Sequence, residues 1–157
     1  MPEARPYRRV LALIRLDGTD EHIARKALLL ARLNRAELLL LHLIEPDAAL
    51  DGGYPAAGAR KEAAALEAGA VRRLGFLAAQ LGAGEAECVA LHGPARQTFR
   101  QAVKKWRPEL VVSAQDFDFL SGAHDVLILG RNSRAQGGWL VGRFLNRLGA
   151  QLLPAGR

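Results

Sequence analysis

The strongest constraint on this chain is the alternation of short, uninterrupted apolar runs with longer segments of helical periodicity. Val10-Leu11-Ala12-Leu13-Ile14 is apolar at every position and is bounded by Arg9 and Arg15. A run of that length suits a strand buried on both faces, as in a parallel sheet. Asp17-Gly18-Thr19-Asp20 then punctuates the chain. Thr19 or Asp20 is expected to cap the next helix. Ile23, Ala27, Leu30 and Ala31 recur at helical spacing, and Asn34 is a plausible stop. Glu37 to Ile44 is a second buried run. A Gly-containing loop from Asp47 to Ala59 leads to an Ala/Leu helix over Arg60 to Leu81, with Arg72 and Arg73 on its wet side and Gly82-Ala83-Gly84 at its close. Glu87 to Leu91 is a third strand, and His92-Gly93-Pro94 turns the chain. A helix then carries Phe99, Val103 and Trp106 on one face, and Leu110-Val111-Val112 is a fourth strand. Strands and helices in strict alternation give a parallel sheet with helices on both faces, because each right-handed crossover needs a helix's length to return.

The pattern degrades after Ser113. Val126-Leu127-Ile128-Leu129 is again strand-like. Only about a dozen residues precede it, near the lower limit for a parallel crossover. The spacing predicts either a single helical turn or an antiparallel return. From Trp139 to Leu152, Val141, Phe144, Leu145, Leu148 and Leu152 share one helical side, and Arg143, Asn146 and Arg147 the other. This predicts an amphipathic C-terminal helix packed on the sheet. Gly130 to Arg157 holds no acidic residue and five arginines, so residues 131–157 form a divergent basic segment.

The chain's 157 residues suit one domain, 1–157, with a core of its own. The net charge of +6 permits an anionic partner without specifying one. Because the arginines are dispersed before the C-terminal segment, the sequence does not favour nucleic acid. Cys88 is the one cysteine, so an internal disulfide is excluded and a reducing, cytoplasmic setting is expected. No His/Cys/Asp/Glu group has metal-ligand spacing, and no apolar run is long enough to cross a membrane. His22, His42, His92 and His124 are scattered without a triad order. Ser113 and Ser121 lack a nucleophile elbow, so an enzyme is not expected. Asp116 and Asp118 flank Phe117 with Phe119 beside them, which predicts a loop with phenyl rings inward and carboxylates in water.

Three segments resemble the universal stress protein family. Val10 to Asp17 followed by Gly18-Thr19 looks like its first strand and polar turn. Glu37 to Glu45 looks like its second strand, with His42 near the end. Gly93-Pro94-Ala95, the following helix and Pro108-Glu109-Leu110-Val111-Val112 look like its third helix and fourth strand. The resemblance spans Arg8 to Ser113. It implies a three-layer α/β sandwich with a mostly parallel, flavodoxin-like sheet, a homodimer, and a non-enzymatic role in the cytoplasmic stress response.

One branch of that family binds ATP through glycines after the fourth strand, where backbone amides must approach phosphate closely. Here that strand ends in Ser113-Ala114-Gln115-Asp116, without glycine and with carboxylates following. The chain therefore looks more like the UspA-type branch, and no cofactor is expected. A second register takes Val126–Leu129 as the fourth strand, with Gly130 and Gly142 approximating the motif. On that register the alternative is an adenine-nucleotide (ATP or AMP) sensor. In either register, the resemblance implies Asp17 and Leu43 as nucleotide contacts. A further alternative is an adaptor that binds a protein partner through the Arg-rich C-terminal helix.

Overall fold

The computed structural model describes residues 6–18, 20–46, 57–131 and 139–145, with the backbone alone described for 57–59, 131 and 139–145. Among the described residues nine elements follow one another: β1 (Arg9–Leu13), α1 (Glu21–Asn34), β2 (Glu37–Ile44), α2 (Ala57–Gln80), β3 (Glu87–His92), α3 (Ala95–Trp106), β4 (Leu110–Ser113), β5 (Asp125–Arg131) and β6 (Trp139–Leu145). Among the described residues the strands form one sheet in the order β3-β2-β1-β4-β5-β6. The first five are parallel, and β6 runs antiparallel to β5. This is the flavodoxin-like α/β arrangement expected.

The layers follow from the strand order. The chain steps from β1 to β2 to β3 in one direction, so right-handed crossovers place α1 and α2 on the same face. The return to β4 places α3 on the other. The pleat then divides the core. Val10 and Ala12 of β1, with Ile14 just after it, meet Ile23, Ala27 and Ala31 of α1 and Leu74 and Ala78 of α2. Leu11 and Leu13 meet Phe99 and Ala102 of α3. Continuous apolar runs were thus the right signal for strands buried on both sides.

Helix ends follow their sequences closely. Arg35 and Arg107 adopt left-handed conformations after α1 and α3, and their N–H groups bond back to the last turn. Gly82, after α2, takes φ 71°, a conformation glycine adopts without a Cβ penalty.

Three expectations need correction. The β4–β5 connection is neither a helical turn nor an antiparallel return. It is a parallel crossover over 114–124 without a helix, tightened by a turn in which Leu120 N–H donates to the Phe117 carbonyl at 3.2 Å. Leu120 is buried, and Phe117 and Phe119 pack against the α3 side of the core, so the loop fills part of that layer itself. Second, Trp139–Leu145 is a strand, not the first half of an amphipathic helix. Its backbone pairs along the β5 edge from Val126↔Leu145 to Arg131↔Trp139. An unpaired strand edge is a strong template for backbone hydrogen bonds, and that long-range demand outweighs the local helical period. The remainder of the expected helix, 146–152, lies outside the described residues. Third, Leu110–Ser113 pairs with β1, whereas Val126–Leu129 lies one strand further out. The fourth strand is therefore Leu110–Ser113, and the register built on Val126–Leu129 does not hold.

The asymmetry of burial gives a direct test. Phe99 is 1% exposed on α3, whereas Phe76 on α2 is 67% exposed. Phe99→Ala is expected to cost roughly 3–5 kcal/mol. Phe76→Ala should stay within about 0.5 kcal/mol of the parent. Urea unfolding of the two variants measures both.

Candidate functional site

In open α/β sheets, ligands bind at the carboxyl ends of the strands, near the point where the strand order reverses. Here the reversal lies between β1 and β4. The loop leaving β1 has an unusual backbone. Leu16 sits at φ 61°, in the left-handed region that a bulky side chain rarely enters. Such a conformation persists only when its surroundings over-determine it. Both peptide groups of Leu16 are held. Its N–H donates to Asp20 Oδ2 at 2.7 Å, and its carbonyl accepts from Arg73 Nη2 at 2.6 Å. The Arg15 N–H also donates to Asp20 Oδ2.

Asp20 therefore does something other than the expected cap. It stands at the N-cap of α1 but makes no side-chain bond into the helix. Its carboxylate turns back to close the loop, and Thr19, the other expected cap, lies outside the described residues. Asp20 is 3% exposed, and Oδ1 has no hydrogen-bond partner. Burial pushes its carboxyl above the ordinary value of 3.8, while the Arg15 and Leu16 N–H groups pull the other way.

Arg73 was expected only on the wet side of its helix. Its role in holding Leu16 joins residues far apart in sequence, and no local pattern announces it. Arg73 also lines an open groove of about 850 Å³ beneath α2. Arg72, Phe76, His42, Leu66 and Asp20 share its walls. His42 is committed within it. Its Nδ1 lies 2.7 Å from the Ile14 carbonyl, which can only accept, so Nδ1 carries the proton.

The two expected nucleotide contacts both lie at this end of the sheet. Asp17 is exposed, with its Oδ2 3.6 Å from Arg15 Nε. Leu43 is half-buried near the end of β2 and packs toward the α3 side of the core. The groove walls include neither. The Asp116–Phe119 loop is as expected, with the phenyl rings half-buried and stacked at 5.1 Å and the carboxylates outward. Asp118 pairs with Arg96 of α3.

Other reactive side chains are tied into the fold. The Ser113 hydroxyl donates to the Gln115 carbonyl at 2.7 Å. His124 is buried, its Nε2–H donating to the Leu120 carbonyl at 2.5 Å, and its ring meets Phe99 edge-on. Burial, then the nearby Glu87, raises the Cys88 thiol, which disfavours the reactive thiolate. Among the described residues no three His, Cys, Asp or Glu side chains group as metal ligands.

The Universal stress protein family model matches residues 6–115. The chain belongs to the universal stress protein family. The match ends just after β4, where the helix-free crossover begins. Solved structures similar to this universal stress protein include one in complex with cAMP (17% identity, covering 68% of this chain and 75% of that one, TM-score 0.48). Another is UspA from Lactobacillus plantarum (19%, 73% and 82%, 0.49). A third comes from Archaeoglobus fulgidus (14%, 75% and 82%, 0.44). No curated protein matches the chain.

Asp20 supplies a pH test with a definite sign. A carboxyl raised in the folded state binds its proton more tightly there than in the unfolded chain. The stability it contributes is full below the unfolded value near 3.8 and is lost as pH rises through the folded value. Asp20→Asn keeps an acceptor for the two N–H groups and removes the titration. The variant is expected to gain stability relative to the parent as pH rises from about 4 to 7. Urea midpoints measured across that range check it.

Proposed function

We propose that this chain is a non-enzymatic universal stress protein domain that does not bind ATP and acts as a homodimer in the cytoplasmic stress response. The observation that carries this reading is the segment after β4. It has no glycine before Gly122, and it sends Phe117, Phe119 and Leu120 into the core instead of opening a phosphate loop. Gly122 is exposed, but its lack of a side chain is used by the fold. A Cβ there would meet His124 Cε1 at 2.7 Å, and the imidazole is buried and bonded. The crossover supplies no helix N-terminus, and α1 already carries Glu21 in its first turn. At this crossover a polyphosphate thus finds no positive helix end, and no glycine before Gly122 lets the backbone approach it closely.

The absence of enzyme activity is supported by the commitment of Ser113, His42 and His124 to backbone carbonyls. The homodimer is supported by family membership. A cytoplasmic setting is supported by Cys88, the one cysteine, which is free and has no internal partner for a disulfide. Among the described residues no helix is long and apolar enough to cross a membrane. The adaptor alternative loses its helix over Trp139–Leu145, where β6 stands.

A second reading, an adenine-nucleotide sensor, is favoured by one observation. The groove beside the β1 loop combines two guanidinium groups, Arg72 and Arg73, with the exposed Phe76 ring. Calorimetric titration of ATP and AMP separates the readings, because a ligand that binds the folded state must also raise its melting temperature. We expect no heat and no thermal shift at millimolar nucleotide. Micromolar binding that Asp17→Ala or Arg73→Ala weakens would replace the first reading with the second.

A further inference from the structure

We propose that the outer face of α3 is a docking surface for an acidic protein segment. The helix carries Arg96, Arg100, Lys104 and Lys105 and no carboxylate. Arg96, Arg100 and Lys104 are exposed and recur at every fourth position, with Gln97 and Gln101 beside them. At 1.5 Å of rise per residue the cations stand about 6 Å apart in one stripe. Like charges at this spacing repel and destabilise the helix that carries them. Asp118 pairs with Arg96 at the start of the stripe. Arg100 and Lys104 continue it along a depression of about 460 Å³. The chain's C-terminal segment cannot neutralise this face, because Gly130 to Arg157 has no acidic side chain.

The amino end of α3 adds to the field. Pro94 is its N-cap and its first turn holds no acid, so the positive helix pole is uncompensated there. The face lacks what a single-stranded nucleic acid needs, an exposed aromatic platform for base stacking. Phe99 is buried, and Trp106 is half-buried with its indole N–H donated to Glu87 at 3.0 Å. Carboxylates at every fourth position of a partner helix match the spacing of the stripe, and the two glutamines offer neutral hydrogen bonds between the charges.

The test uses the full chain and a fluorescein-labelled helical peptide with Glu at every fourth position, read by anisotropy. Its Gln-substituted counterpart and a duplex DNA oligonucleotide serve as comparisons. The Glu peptide is expected to bind and the Gln peptide not. Arg100→Glu/Lys104→Glu should weaken binding by about tenfold or more, since it places like charges across the contact. Arg100→Gln/Lys104→Gln should weaken it less and guards against misfolding of the reversal variant. Arg60→Glu/Lys61→Glu changes the net charge equally on exposed positions of α2 and should leave binding within about twofold, as expected for charges outside the contact. The proposal is overturned if the α2 and α3 reversals weaken binding alike, if the Glu peptide does not bind, or if duplex DNA binds more tightly through the same residues.

Discussion

The structure depends on burying one strand from both sides. Val10, Leu11 and Ala12 of β1 have no exposed surface, and β1 is hydrogen-bonded to β2 on one edge and β4 on the other. A strand in that position must be apolar at every residue, since either side chain direction leads into a core. It also fixes which face each helix covers. Once β2 and β3 pair on one side of β1 and β4 and β5 on the other, α1 and α2 cannot share a face with α3. The two core clusters follow from the pleat of this strand.

The two ends of the sheet are built differently. At the amino end, bonds tie successive elements together. Tyr7 donates its hydroxyl to Asp125 at 2.6 Å, and Arg9 donates to the Trp106 carbonyl at 2.8 Å while its guanidinium lies 6.0 Å from the Trp106 ring. Burial, followed by the hydrogen bond to Asp125, pushes the Tyr7 phenol far up, so it remains a neutral donor. At the carboxyl end, a left-handed Leu16 is held by one buried carboxylate and one arginine. Leu16 thus places a left-handed backbone at the end of the sheet where ligands bind in folds of this kind, whereas Arg35 and Arg107 take that conformation at helix ends leading into β2 and β4.

The first four strands and three helices were legible because each is decided locally, by an apolar run or a helical period with a breaker after it. Glu37 to Ile44 and the end of α3 at Trp106 fall where the sequence puts them. What failed was decided at long range. The period over Trp139 to Leu145 admits a helix, but the same residues lie within reach of the open edge of β5. The exchange of side-chain packing for backbone pairing cannot be read from a single segment. The site divides the same way. Its position after β1 was visible in Asp17-Gly18. The Asp20 turn-back and the Arg73 contact depend on α2 lying beside that loop, and a leucine is the last residue to advertise a left-handed backbone.

The missing fourth helix links the sheet to the charge on its surface. A full-length crossover between β4 and β5 lays a helix beside α3, because both connections step in the same direction and share a handedness. Residues 114–124 are too few for that, so their buried side chains serve only the core. Phe117, Phe119 and Leu120 replace the apolar stripe of a helix but not its polar outer face, where acids would offset α3. Asp118 of this loop pairs with Arg96 of α3. The short crossover thus lays no helix beside α3, whose row of cations stands without the acids such a helix could carry.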